Sequence, residues 1–147
     1  MPEPSLRERA LAYLARREHS RAELARKLAA YCDDRDEINT LLDDFAQRGW
    51  LSEARFAEMV VQARHGKFGS RRIAHELREK GVSEETIAAA LPEVRESELE
   101  TARAVWAKKF GALPADAQEK AKQMRFLASR GFGQEIIFKV LKGVDQM

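Results

Sequence analysis

The fold of this chain is decided by residues 70–91, which read SRRIAHELREKGVSEETIAAAL. Two apolar pairs stand out, Ile73 with Leu77 and Ile87 with Leu91, and the members of each pair are one helical turn apart. The segment between the pairs contains a glycine, a residue that commonly ends helices. The stretch therefore predicts two consecutive helices joined by a tight turn, with apolar faces that meet.

The same apolar spacing occurs three times along the chain. One copy lies 49 residues earlier and another lies 50 residues later, with a glutamine in place of its first apolar residue. The two further copies consist of Leu24, Leu28, Ile38 and Leu42, and of Gln123, Leu127, Ile137 and Leu141. A fixed period near 50 indicates one structural unit used three times, and such units bury their apolar faces by stacking on neighbours.

Helix start and stop signals divide each unit into three helices. Five N-cap candidates are followed three positions later by glutamate, as in a capping box: Ser5, Ser20, Asp34, Ser97 and Asp116. Three further caps lack that glutamate: Ser52, Ser70 and Ser83. Glycines stand where helices are expected to end: Gly49, Gly66, Gly81, Gly111, Gly131 and Gly143. The predicted helices are 6–17, 20–31, 35–48, 52–65, 70–80, 84–91, 97–110, 116–130 and 134–142.

These signals predict an all-α protein of three tandem three-helix repeats, forming an elongated curved molecule. The repeats are predicted at 1–48, 49–96 and 97–147. Pro92 disfavours helix at the preceding residue, so the second repeat should end at Leu91 or restart just after it. No segment alternates polar and apolar residues convincingly, so no strand is predicted.

The first helix of each repeat is expected to close the three-helix core. Its inward residues are predicted to be Leu11 and Leu14, Phe56 and Val60, and Val105 and Trp106. The remaining large aromatic residues interpreted as core are Trp50, Phe45, Phe110, Phe126, Phe132 and Phe138.

Charge is nearly balanced over the 147 residues, with 26 lysines and arginines against 24 aspartates and glutamates. It is unevenly distributed, since residues 1–48 carry a net −1 and residues 97–147 a net +3. Cys32 is the single cysteine, which excludes an intramolecular disulfide and a cysteine-built zinc site. The chain opens Met-Pro-Glu-Pro without an apolar signal segment and contains no apolar run of about 18 residues. We therefore expect a cytoplasmic protein with no membrane association.

Catalytic signals are weak. The histidines at positions 19, 65 and 75 do not stand at ligand spacing from one another, and no glycine-rich phosphate loop of the P-loop type is present. His75 with Glu79 is a single pair one turn apart, which is insufficient for a metal site. We predict no enzymatic activity, no metal and no cofactor.

Basic residues form the stronger signal, because they fall in segments without acidic residues at the joins between first and second helices. The candidate binding residues are Arg64, Lys67, Arg71, Arg72, Lys108, Lys109, Lys120, Lys122, Arg125 and Arg130. Stacked repeats would align them as a basic stripe suited to phosphates or an acidic protein face. The alternative is that these cations neutralise helix C-termini, which suits Arg64, Lys108 and Lys109 but not Arg71 and Arg72 at a helix start.

Two further features admit more than one interpretation. Phe68 lies among these charges and either anchors a partner or folds back onto the core. Residues 71–91 have the pattern of a helix-turn-helix, which would suggest DNA binding. However, the second helix begins with Glu84 and Glu85 and continues with three alanines, none of which suits base recognition.

Several motifs resemble the RecX family. SRAELARKL at 20–28 is similar to its first-repeat motif, and GWLSEARFA at 49–57 resembles its pattern of glycine, aromatic, leucine and Arg-Phe-Ala, with Ser52 and Glu53 where an acidic pair is usual. Phe68-Gly69 through Lys80-Gly81-Val82 resembles the second-repeat motif, and Arg125-Phe126-Leu127 with Arg130-Gly131-Phe132 the third. The resemblance covers nearly the whole chain, in the right order.

The resemblance implies a non-enzymatic regulator that docks in the groove of the RecA–DNA filament and restrains ATP hydrolysis, strand exchange and filament growth. It also implies a role in DNA repair, recombination and the SOS response. We expect a monomer that contacts the RecA filament and, in addition, single- or double-stranded DNA. A helix-turn-helix regulator acting directly on duplex DNA is the alternative, and a plain helical scaffold is a third.

Overall fold

The computed structural model describes residues 2–142, and within this range it contains nine α-helices and no strand. The helices are α1 (Leu6–Arg16), α2 (Arg21–Leu28), α3 (Arg35–Gln47), α4 (Glu53–Arg64), α5 (Ser70–Glu79), α6 (Glu84–Glu96), α7 (Glu98–Lys109), α8 (Ala117–Ser129) and α9 (Gln134–Lys142). The all-α prediction is confirmed. The helix end predicted at Gly143, and the part of the third repeat beyond 142, lie outside the described residues.

The residues form two compact units. The first contains the chain up to Met59 together with Leu77–Ile87, and the second contains Val60–Glu76 together with the residues from Ala88 onwards. The division falls inside α4, α5 and α6, so the middle repeat contributes to both units.

The repeated apolar positions form the core, as their spacing predicts. All eleven apolar members of the three copies are buried, each at most 8% exposed. In the first unit the copy from α2 and α3 packs with Ala10, Phe45 and Leu51. In the second unit the copy from α8 and α9 packs with Trp106 and Phe132. Truncating one of these leucines to alanine would cost about 2–5 kcal/mol.

Gln123, the polar member of the third copy, is fully buried and fully partnered. Its Oε1 accepts a hydrogen bond from the indole N–H of Trp106 (2.8 Å), and its amide donates to the carbonyl of Ala112 (3.1 Å). A buried amide without partners would be costly. The glutamine therefore ties α7 and the segment after it to α8 at a place where the other repeats have an apolar side chain.

Most predicted N-caps are confirmed. The side chains of Ser5, Ser20, Asp34 and Asp116 accept backbone N–H bonds from the first turns of α1, α2, α3 and α8. Ser52 and Ser83 do the same for α4 and α6. Two predicted caps are wrong. Ser97 makes no cap hydrogen bond with its side chain, and Ser70 instead donates its hydroxyl to Glu98.

Helix α6 does not end at Leu91 but continues through Pro92 to Glu96. Local backbone sterics disfavour this, because proline lacks an N–H and crowds the preceding turn. The continuation buries Val94 as well as Leu91. The apolar face thus extends by one turn, and this burial offsets the local penalty.

Three residues predicted as core are exposed: Leu11 (39%), Trp50 (41%) and Phe138 (43%). In α1 the buried stripe runs through Ala10, not Leu11, because Leu6, Tyr13 and Leu14 share its face. Trp50 follows the end of α3, and its ring packs against that of the core residue Phe45 in a T-shaped arrangement at 5.4 Å. Phe138 lies beside the buried stripe of Ile137, Val140 and Leu141. Val105, Phe110 and Phe126 are half-buried at the margin of that core.

Candidate binding surface

The N-terminus of α5 packs against the turn between α8 and α9, inside the second unit, and is hydrogen bonded to it. The Gly69 N–H donates to the carbonyl of Arg130 (2.8 Å), and the Arg71 N–H donates to the carbonyl of Gly131 (3.1 Å). Between them, Ser70 donates its N–H (3.2 Å) and its hydroxyl (3.0 Å) to one carboxylate oxygen of Glu98, which is buried. The N–H groups of Gly69, Ser70 and Arg71 at the start of α5 are therefore satisfied by groups from the third repeat. We call this contact the second junction.

Glycine is required where the two segments of the second junction meet. Gly131 has φ +94°, and a Cβ placed there would lie 2.6 Å from the backbone nitrogen of Arg72. A Cβ on Gly69 would meet the backbone carbon of Gly131 at 2.6 Å. Neither backbone can move away without breaking the hydrogen bonds described above. The position of α5 relative to α8 and α9 is therefore fixed by main-chain contact.

This junction places Phe68 among three arginines. The guanidinium carbon of Arg72 lies 4.1 Å from the centre of the Phe68 ring, and those of Arg130 and Arg64 lie at 5.5 Å and 6.0 Å. Arg72 also donates to the carbonyl of Ser129 (3.2 Å), which holds its head group in place. The half-buried Phe68 ring thus packs under cations and orients them, whereas its role as an anchor for a partner stays a prediction.

Arg130 extends the same surface to a concave pocket of about 380 Å³. Its guanidinium carbon is also 5.2 Å from the ring of Phe126, which Lys109 approaches at 5.6 Å. The pocket is lined by Gly66, Lys67, Val105, Lys108, Lys109, Phe126 and Arg130. We call the cations Arg64, Lys67, Arg72, Lys108, Lys109 and Arg130, together with Phe68 and Phe126, the basic–aromatic cluster.

Six of the ten predicted binding residues thus come together, and they differ in how far their charge is available. Arg64 forms two hydrogen bonds with Glu76 (2.8 and 3.0 Å), which raise its pKa and offset its charge. Among the described residues, no carboxylate lies within ion-pair distance of Lys67, Arg72, Lys108, Lys109 or Arg130. Arg71 is adjacent, and its guanidinium lies against Gly133, about 3.4 Å from where a Cβ would stand.

The other three predicted residues lie on α8 and are exposed. Lys122 and Arg125 line a separate concave surface together with Asp116 and Glu119, so their charge is balanced locally. Lys120 stands one turn after the N-cap Asp116. The continuous basic stripe expected from stacking thus stays a prediction, and the cations that do come together lie at the second junction.

A junction of the same form occurs in the first unit, between the turn after α5 and the start of α2. A Cβ on Gly81, which has φ +80°, would lie 2.7 Å from the Cβ of Ala22. The neighbouring Lys80 ammonium is 3.9 Å from the buried carboxylate of Glu23. We call this contact the first junction. Here Ser20 caps its own helix by accepting the Glu23 N–H (3.1 Å).

Buried ionisable groups surround the first junction. Glu23 accepts two hydrogen bonds from Arg17 (3.1 and 2.6 Å). Burial alone would raise the pKa of Glu23, but Arg17, His19 and Lys80 outweigh it and lower the pKa to about 2. Burial lowers the pKa of His19, whose Nδ1–H donates to the carbonyl of Arg17 (3.1 Å) while Nε2 accepts from Lys27 (2.9 Å). His19 is therefore a neutral structural residue.

Sequence reasoning missed Glu98, Glu23 and His19 as junction residues. Each looks ordinary in the sequence. Glu98 and Glu23 acquire partners from distant segments, whereas the hydrogen-bond partners of His19 lie within eight residues of it but are recognisable only once its ring is buried. Within the described residues, no group of three or more metal-ligating side chains comes together, and no helix is long and apolar enough to cross a membrane.

The second helix of the apparent helix-turn-helix does not present a base-reading surface. At its start, Glu84 pairs with Arg78 (2.9 Å), and the hydroxyl of Thr86 is hydrogen bonded to Ser83 and Glu53. The exposed positions that follow are Ala88 and Ala89. Alanine offers no hydrogen bond to a base edge.

Comparison with known proteins gives a consistent result. Profiles of the first, second and third three-helix domains of RecX match residues 7–45, 52–91 and 96–141. The limits 1–48, 49–96 and 97–147 themselves stay a prediction. A protein named Regulatory protein RecX from Leptothrix cholodnii is 51% identical over 98% of this chain and 92% of its own length. A protein of the same name from Chromobacterium violaceum is 50% identical over 95% and 90%.

The fold agrees with this relationship. The crystal structure of RecX from Lactobacillus salivarius superimposes with a TM-score of 0.82, at 20% identity, over 97% of this chain and 96% of the other. That similarity concerns the fold alone, whereas the three profile matches and the full-length relatives concern the sequence. The chain belongs to the RecX family of regulatory proteins.

Proposed function

We propose that this chain binds the RecA–DNA filament in its groove and restrains its ATP hydrolysis, strand exchange and growth, without catalysing a reaction itself. Membership of the RecX family of regulatory proteins supports this function. The observation that carries it is the basic–aromatic cluster, a rigid cationic surface whose lysines and arginines largely lack carboxylate partners. Through this role the chain would modulate recombination, DNA repair and the SOS response, and a cytoplasmic location follows from it.

The arrangement suits a repetitive partner. Long lysine and arginine side chains normally lose entropy when they are fixed, which weakens exposed ion pairs. Here Arg72 and Arg130 are already held over aromatic rings, and Arg72 also by the Ser129 carbonyl. The side chains of Arg72 and Arg130 therefore lose less conformational entropy when a partner binds. Three repeats in one chain would let several weak contacts act together on neighbouring filament subunits, and we expect a monomer to be sufficient.

Direct control of duplex DNA is the second candidate, and the structure gives it less support. A sequence-reading helix needs arginine, asparagine or glutamine at the groove. Over the first half of α6 the exposed positions after Glu84 are Glu85, Ala88 and Ala89, and the one arginine of this helix, Arg95, lies in its last turn. The N–H groups of Gly69, Ser70 and Arg71 at the start of α5 are also already bonded, so this helix end offers few free donors to a phosphate. Contact with filament DNA would therefore run mainly through side chains.

Binding of the intact chain to three targets tests the proposal: RecA filaments on single-stranded DNA, the same DNA without RecA, and random duplex DNA. We expect tight binding and inhibition of ATP hydrolysis with the filament, and binding to either naked DNA that is at least about tenfold weaker and falls steeply with salt. Equal affinity for naked DNA and filament would contradict filament recognition. Tighter binding to one duplex sequence would favour the DNA-binding regulator.

A further inference from the structure

The pocket at the edge of the basic–aromatic cluster combines charge with an apolar floor. Lys67, Lys108, Lys109 and Arg130 converge on it from three separate segments, and its described lining contains no carboxylate. Lys108 and Lys109 alone would be explained by the C-terminus of α7, where cations are favourable. Arg130 is likewise the C-cap residue of α8, but a favourable helix end does not account for the convergence of these cations on one pocket from α7, from the end of α8 and, with Lys67, from the turn before α5.

The floor of the pocket indicates which anionic ligand fits. Val105 and Phe126 give it an apolar base, and Phe126 is held edge-on against Phe110 at 5.4 Å. Lys109 and Arg130 approach the Phe126 ring, and Arg72 covers the ring of Phe68. Stacking of a nucleobase requires a free aromatic face. Of these rings only Phe126 lines the pocket, and a base stacked on it would have to displace Lys109 and Arg130, whereas an aliphatic side chain needs only contact with Val105 and the exposed part of the Phe126 ring.

We propose that this pocket binds an acidic peptide segment, with carboxylates on Lys67, Lys108, Lys109 and Arg130 and an aliphatic side chain on Val105 and Phe126. The segment belongs to the protein component of the filament, so this inference rests on the function proposed above and specifies its contact. A sugar–phosphate backbone satisfies the cations but has no side chain for the apolar floor. Removing the aliphatic side chain should therefore weaken the binding of a peptide, whereas the binding of a nucleic acid does not depend on such a side chain.

Titration of the ¹⁵N-labelled full chain tests the pocket directly. The probe is the blocked peptide Glu-Asp-Leu-Glu-Asp-Leu, compared with the same peptide carrying serine for leucine and with a thymidine oligonucleotide of equal net charge. We expect the leucine peptide to bind at least about tenfold more tightly than either control, with amide shifts centred on Gly66, Lys67 and Lys109. The variant Lys108→Glu with Lys109→Glu should lower its affinity by about tenfold or more.

The matched control variant is Arg26→Glu with Arg35→Glu, which makes the same charge change at exposed positions of the first unit and should leave the affinity within about twofold. Tighter binding of the oligonucleotide, equal binding of the serine peptide, or shifts away from the pocket would overturn the proposal. Its failure is distinct from failure of the proposed function. Filament inhibition without peptide binding would contradict only the proposal for the pocket. Peptide binding without filament inhibition would contradict the proposed filament function.

Discussion

The first and second junctions bring equivalent segments together in different chemical settings. In both, a positive-φ glycine from the turn after the second helix of one repeat meets the start of the second helix of the preceding repeat: Gly81 at Ala22, and Gly131 at Arg72. At the first junction the helix caps itself, and the buried carboxylate of Glu23 pairs with the partly exposed cations of Arg17 and Lys80. At the second junction the helix is capped by another repeat, and the cations remain on the surface.

This difference shows how a repeat protein separates stability from recognition. The architecture needs only the glycine turn and the apolar spacing, which both junctions have. The surrounding polar residues are then free to differ. At the first junction they neutralise one another, whereas at the second they leave positive charge available to a partner.

The largest loss of stability should come from Gly131→Ala. A left-handed φ costs a non-glycine residue about 1–2 kcal/mol, and forcing a Cβ against the Arg72 backbone adds about 1–3 kcal/mol. Gly81→Ala should cost less, because its Cβ would meet only the side chain of Ala22. Gly49→Ala is the matched control, since it has φ +76° and no atom within 4 Å. Urea unfolding should rank the losses in that order, and an equal cost at all three would refute main-chain contact at the second junction.

Acid should weaken the first junction by a smaller amount. Because the pKa of Glu23 is lowered from 4.5 to about 2, its contribution is complete above pH 4.5 and is lost as the pH falls from 4.5 to about 2. The contribution is on the order of 2 kcal/mol after allowance for the partly exposed Arg17. The lowered pKa of His19 adds a loss that begins as the pH falls below about 6.5.

The measurement is the difference in unfolding free energy between the wild type and Glu23→Gln at about pH 7, 5 and 3. We expect the wild-type advantage to be full at the two higher values and reduced at the lowest. A difference that does not change with pH would show that the Glu23 carboxylate contributes no charge-dependent stability.

A comparable or smaller effect is expected from Glu98→Ala at the second junction. The substitution removes the acceptor of two Ser70 donors that are buried, at a cost of about 1–3 kcal/mol. Glu98→Gln should recover part of that loss, because its amide oxygen still accepts. Ser20→Ala gives the reference for a conventional cap at the first junction, about 1 kcal/mol. If neither Glu98→Ala nor Glu98→Gln changed the free energy of unfolding, the cap contributed by the third repeat would not stabilise the fold.

The helical framework was predictable because its causes are local or periodic. The apolar spacing at Leu24, Ile73 and Leu127 reports burial directly, and serine, aspartate and glycine mark helix ends through their own backbone chemistry. Errors arose where a residue lies at the border of the apolar stripe, as Leu11 does, or where burial outweighs local sterics, as at Pro92.

The candidate site was predictable only in part. Acid-free segments identified its cations, but no local pattern indicates that Arg64 pairs with Glu76 or that Lys67 and Arg130 share a pocket. Glu98 lies 28 residues from Ser70, the first residue of the helix that it caps. In the sequence it resembles any acidic residue in a first helical turn. Such pairings depend on which turn of one repeat packs against which helix of another, and this is set by the tertiary structure rather than by a local sequence pattern.

The smallest change in stability is expected from the variant that tests the central claim, Arg71→Glu with Arg72→Glu. Both side chains are exposed, so helicity and melting should stay close to the wild type. The measurement is inhibition of RecA filament ATP hydrolysis, with Arg26→Glu plus Arg35→Glu as the equally charged control in the first unit. We predict that the second-junction variant needs at least about tenfold more protein for half-inhibition, while the control behaves as wild type. Full inhibition by the second-junction variant, or an equal loss in the control, would contradict recognition through the second junction.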